Sequence, residues 1–99
     1  MEHISEITRM EHHLNDASAA LREFSAALEK LQAAQIWIHE LERYYGSEEW
    51  HQHMEADARG ELPNGLRRGV LSEDAIYDLL AEHHDLAIEM LETAAQMLK

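Results

Sequence analysis

The 99-residue chain has no cysteine, one proline, four glycines and only 6% aromatic residues. Without cysteine, neither a disulfide framework nor a thiolate zinc site can form, and thiol nucleophiles are absent. Packing alone must hold the fold. Bases are scarce as well: 8 Lys and Arg stand against 20 Asp and Glu, a formal charge of −12 with histidine neutral. Nucleic-acid binding depends on basic side chains displacing counterions, so direct DNA or RNA binding is not expected. The longest charge-free, apolar-rich run, Leu31 to Ile38, is far shorter than the roughly 20 residues a membrane helix needs. Met1-Glu2-His3-Ile4-Ser5-Glu6 lacks the basic and apolar blocks of a secretory signal, so a cytoplasmic protein with no membrane partner is expected.

Hydrophobic residues make up 45% of the chain, mostly aliphatic and Ala, enough for a thin helical core in one small domain. Apolar positions step by three and four through Ile7, Met10, Leu14, Ala17, Leu21, Phe24, Leu28 and Leu31, then Ile38, Leu41 and Tyr45. This is a heptad seam, interrupted at Gln35. No Gly or Pro precedes Gly46, so the pattern predicts one helix over about 3–45, weakest at Asn15-Asp16-Ala17-Ser18, where short polar side chains compete for backbone hydrogen bonds. Gly46 suits a left-handed helix end, and Ser47 followed by Glu48 and Glu49 suits the start of a short helix over about 48–58. Leu62-Pro63-Asn64-Gly65 reads as a turn with Pro63 at its first corner and Gly65 taking positive φ. Ser72 is placed to cap a third helix over about 73–98, with Leu71 and Ile76 at hydrophobic-staple spacing.

The third helix carries Ile76, Leu80, His83, Ala87, Met90, Ala94 and Met97 on one seam. Asp78, Glu82, Asp85, Glu89 and Glu92 lie on the other face without basic partners. The expected fold is therefore all-α, a long antiparallel helical hairpin with a short middle helix and coiled-coil-like packing. At 1.5 Å per residue the first helix spans roughly 65 Å and the third roughly 39 Å. About 17 residues at the start of the first helix then outrun the hairpin. Ile7, Met10, Leu14 and Leu21 consequently read as an interface, and a homodimer is the expected partner arrangement.

Tyr44-Tyr45-Gly46-Ser47-Glu48-Glu49-Trp50, then Glu55-Ala56-Asp57, and then Leu62-Pro63-Asn64-Gly65-Leu66-Arg67-Arg68-Gly69-Val70-Leu71-Ser72-Glu73-Asp74 form the most distinctive stretch. It resembles a bacterial domain-of-unknown-function family, the one numbered 4298. The resemblance implies a short, helical, acidic protein and carries no mechanism. The family pattern has an acid near His53, from which this chain departs. Physically the stretch reads as a corner in which Tyr44, Tyr45, Trp50 and Tyr77 cluster, with Trp37 one or two turns away. Arg67 and Arg68 are expected to neutralise carboxylates or cap helix-end carbonyls. The alternative role for this corner is recognition of a partner.

Eight histidines invite a metal hypothesis: His3, His12, His13, His39, His51, His53, His83 and His84. Adjacent helical residues point about 100° apart, so neighbouring pairs cannot readily share an ion. The usable local pairs are His51 with Glu55, His53 with Asp57, and Glu48 with His51. A di-metal helical site needs two Glu-x-x-His motifs on separate helices, and only one is present. His83 alone lies on an apolar seam, where Gln35 or His39 could partner it. Nucleophile elbows, Walker loops, dinucleotide fingerprints and His-Glu-x-x-His helices are all missing. The expectation is a small non-enzymatic interaction or scaffold protein without cofactor. The rivals are an acidic decoy of a nucleic-acid-binding protein and a histidine-based metal-binding protein.

Overall fold

The computed structural model describes all 99 residues, and the chain is all-α. Helix α1 runs Glu2–Tyr44, α2 Glu48–Ala58, and α3 Ala75–Met97, with a single 3₁₀ turn at Gly69–Leu71 before α3. Met1–Gln35 and Ile36–Lys99 are two separate compact units, and α1 contributes to both.

Helix α1 persists for 43 residues because nothing in it breaks the ladder. Local pairs support it. Thr8 Oγ1 donates to the Ile4 carbonyl at 2.8 Å, and Arg9 and Arg43 each pair with an acid three residues earlier, Glu6 and Glu40. Gln35 does not break the helix; its amide donates to the Leu31 carbonyl.

Gly46 ends α1 at φ +78°, a conformation that costs a side-chain-bearing residue strain. Ser47, extended at φ −70° and ψ 166°, then caps α2: its Oγ accepts from the Trp50 amide at 3.1 Å and donates to the Tyr44 carbonyl at 2.6 Å. One hydroxyl thus joins two helix ends. The far end of α2 closes by a Schellman motif. Gly60 sits at φ +72° and donates to the Asp57 carbonyl, while the Glu61 amide donates to Ala56.

The connecting loop departs from the expected turn in register. The closing bond runs from the Leu66 amide to the Pro63 carbonyl, so Asn64 and Gly65 form the corners, and Gly65 does not adopt positive φ. The displacement has a visible cause in Arg68, whose guanidinium binds carbonyls on both sides of the turn. Helix α3 begins at Ala75 rather than 73, yet Ser72 still caps it: its Oγ accepts from the Ala75 amide at 3.2 Å and donates to Gly69, with Glu73 and Asp74 in the turn between.

Only Trp50, Leu71 and Ile76 are buried, all in unit 36–99. They come from α2, the 3₁₀ turn and α3, and the turn packs against both helices. The Tyr45 hydroxyl donates to the Glu73 carbonyl at 2.9 Å, which ties the end of α1 to the approach of α3.

Candidate functional site

Two features stand out, a polar-aromatic corner and an open apolar stripe. At the corner Trp50 is 8% exposed, and its indole Nε1 donates to the Val70 carbonyl at 2.9 Å, so the ring is buried without orphaning its one polar group. Tyr45 meets it edge-on at 5.1 Å between centroids, and the His51 ring packs at 5.0 Å. Tyr44 pairs with His53 instead. Its hydroxyl lies 2.8 Å from His53 Nδ1, with the rings 5.7 Å apart. Burial, assisted by the Glu49 carboxylate, holds the Tyr44 phenol above the ordinary value.

Two aromatics stay outside this cluster. Tyr77 is 62% exposed and Trp37 is similarly open, and neither makes a ring contact. The reason lies in helix geometry: Ile76 occupies the buried direction at the start of α3, and the next residue is turned about 100° away from it.

The arginines divide the same way. Arg68 Nε donates to Asp57 Oδ1 at 2.6 Å, and its terminal nitrogens reach the carbonyls of Leu66 at 2.9 Å and Pro63 at 2.7 Å, with Leu62 and Asn64 at 3.4 Å. It therefore nails the loop to α2. Arg67 is exposed and takes no part. At the C-cap of α2 Arg59 grips Glu61 at 2.8 Å, and this hydrogen bond and its charge draw the Glu61 carboxyl below the usual range.

Three of the side chains considered for a metal are engaged elsewhere: His53 with Tyr44, Asp57 with Arg68, and Glu55 facing Arg59 at 3.9 Å. No three His, Asp or Glu side chains come together in a way that could hold an ion. Seven of the eight histidines are exposed, and His83 is half-buried.

The stripe lies in unit 1–35. Ile4, Ile7, Met10, Leu14, Leu21 and Phe24 are all 45–69% exposed, and Ala17 is open between them. From Leu28 onward the same seam changes character: Leu28, Leu31, Ile38 and Leu41 are half-buried. No helix of the chain is long and apolar enough to cross a membrane.

No curated protein and no solved structure matches the chain. The family model of DUF4298, a domain of unknown function, matches residues 7–93, spanning the seam, the corner and most of α3, and the chain belongs to that family.

Proposed function

We propose that the chain is a small non-enzymatic interaction protein that assembles as a homodimer through the open stripe of α1, while the corner in unit 36–99 is structural. One observation carries this reading. Five large apolar side chains, Ile7, Met10, Leu14, Leu21 and Phe24, fall on one heptad seam within 18 residues, with Ile4 beside it, and all are open to solvent. Single exposed apolar residues are ordinary, but a continuous apolar surface of this length usually marks an interface. The corner supports the complementary half. Trp50 is buried with its polar atom satisfied, which is how a core residue is held and leaves nothing to offer a ligand.

Light scattering at micromolar concentration is expected to give twice the 11.4 kDa of one chain. Leu14→Glu, which puts a carboxylate mid-stripe, is expected to return the single-chain mass without loss of helicity. A parent protein that scatters as one chain overturns the reading.

A second reading, an acidic face presented to a basic protein, rests on α3. Asp78, Glu82, Asp85, Glu89 and Glu92 are exposed there and form no ion pair. It requires capture that fails at high salt; capture that survives salt counts against it.

A further inference from the structure

We infer that the two copies meet antiparallel, with residue 7 of one level with residue 24 of the other, so that the two-fold axis crosses the helices between Asn15 and Asp16. This rests on the homodimer proposed above and adds its geometry. The residues that flank the seam set the direction. With Ile7, Leu14 and Leu21 at a, and Met10, Ala17 and Phe24 at d, the e positions are Ile4, Glu11, Ser18 and Ser25. The g positions are Glu6, His13, Ala20 and Ala27. Large and charged flanks occupy the first half of the stripe, and small neutral ones the second.

A parallel, in-register pair sets each g residue against the e residue five positions later in the other copy. Glu6 would then face Glu11 twice, gathering four carboxylates at one end, while Ala20 would meet Ser25 and leave the other end thin. The antiparallel register reverses both defects. Ile7 packs on Phe24, Met10 on Leu21 and Leu14 on Ala17, and every open seam residue is covered. At the flanks Glu6 meets Ala27, Glu11 meets Ser18, His13 meets Ala20 and Ile4 meets Ser25. Each bulky or charged group lies over a small neutral one.

Charge over longer range agrees. Residues 17–35 carry two acids and two bases, a neutral stretch in a chain of −12, whereas residues 36–99 carry fourteen acids and five bases, or −9. Parallel alignment brings the points where those −9 units attach side by side. Antiparallel alignment in this register puts the two copies of residue 35 about 58 Å apart along the helix direction, several Debye lengths at physiological salt.

The absence of cysteine makes the test direct. Full-length Ile7→Cys and Phe24→Cys are oxidised separately and after mixing and exchange of subunits. Within either variant's own dimer the two thiols are separated by roughly 25 Å, beyond any disulfide. The expected result is a covalent dimer from the mixture and none from either variant alone. Self-cross-linking of Ile7→Cys shows a parallel pair and overturns the inference while leaving the homodimer standing. A dimeric mass with no cross-link in the mixture overturns the register. A single-chain mass for the parent overturns the homodimer itself. Leu14→Cys, two residues from the axis, retains the outer seam and provides the mass control if either test variant loosens the pair.

Discussion

Replacing Trp50 tests whether the corner holds unit 36–99 together. Three side chains form its buried core, and Trp50 is the largest of them. Trp50→Ala removes the indole from a site where it is 8% exposed, and truncating a buried aromatic costs about 3–5 kcal/mol. A 64-residue unit has about 3–10 kcal/mol of stability to lose. The substitution is therefore expected to abolish the cooperative thermal transition or to leave it well below physiological temperature. Trp50→Phe separates the parts. It keeps most of the apolar area but takes away the donor that serves the Val70 carbonyl. Val70 is 40% exposed rather than buried, so a cost at the low end of the roughly 1–3 kcal/mol for an orphaned group is expected. At about 4–8 °C per kcal/mol for a unit of this size, a drop of about 5–10 °C is expected. The assay is thermal unfolding followed by far-ultraviolet circular dichroism, which reads the parent and both variants alike although the substitutions remove one of the two indoles. If Trp50→Ala melts within about 2 °C of the parent, the indole is not structural and the corner must be read as a recognition surface.

Arg68→Ala is expected to lower the unfolding free energy measured in urea by about 2 kcal/mol, since a charge-assisted bond to Asp57 and several loop carbonyls go with it, and to speed amide exchange over 60–70; Arg68→Lys should recover only part, because a point charge cannot span the turn. An unchanged exchange pattern would show that the loop holds its path without the guanidinium. Tyr44 gives a pH dependence. Its raised folded-state pKa means the folded chain holds the phenolic proton more tightly, so this stabilisation is full below the unfolded value and disappears as pH rises through the folded one. Tyr44→Phe should accordingly flatten the alkaline decline in melting temperature, and an identical decline in both proteins would refute the assignment.

Much of the architecture is legible in the residues because its signals are local. A helix without Gly or Pro, a glycine followed by a serine and two acids, and a serine three residues before Ala75 each act through neighbours in the chain, and each reappears as a helix, a positive-φ end or a hydroxyl cap. The Schellman glycine at 60 was readable in the same way, sitting just past the last turn of α2. What was not legible depends on the path of the loop. Arg68 was expected to neutralise a carboxylate, but Asp57 lies eleven residues away and the carbonyls face it only once the loop has formed, so no spacing rule names these partners or the one-residue shift of the Pro63 turn.

Tyr77 and the α1 seam show the two sides of periodicity. Periodicity assigns residues to faces, and it already made Ile76 and Tyr77 mutually exclusive at the core; aromatic character argued for Tyr77, but Ile76 continues the α3 seam at Leu80 and His83 and takes the place. On α1 the same periodicity draws one uninterrupted seam, whereas the structure divides it into a half-buried part from Leu28 and an open part up to Phe24. Seam residues on both sides of that division are alike, mostly Leu and Ile, so their identity does not foretell the change. The flanks do differ. Within the open part, Glu6, Glu11 and His13 beside its first half give way to Ser18, Ala20, Ser25 and Ala27 beside its second, an asymmetry with no use in a solvated helix. It becomes useful when a second seam runs the opposite way, because each half then supplies the space and neutrality that the other half lacks. Glu placed at 18 and 27 meets Glu11 and Glu6 of the other copy in the antiparallel register but His13 and Gln32 in a parallel one, so it should weaken the dimer more than the same two charges placed away from the seam at 19 and 26, and equal masses for the two variants at every concentration would remove the antiparallel register.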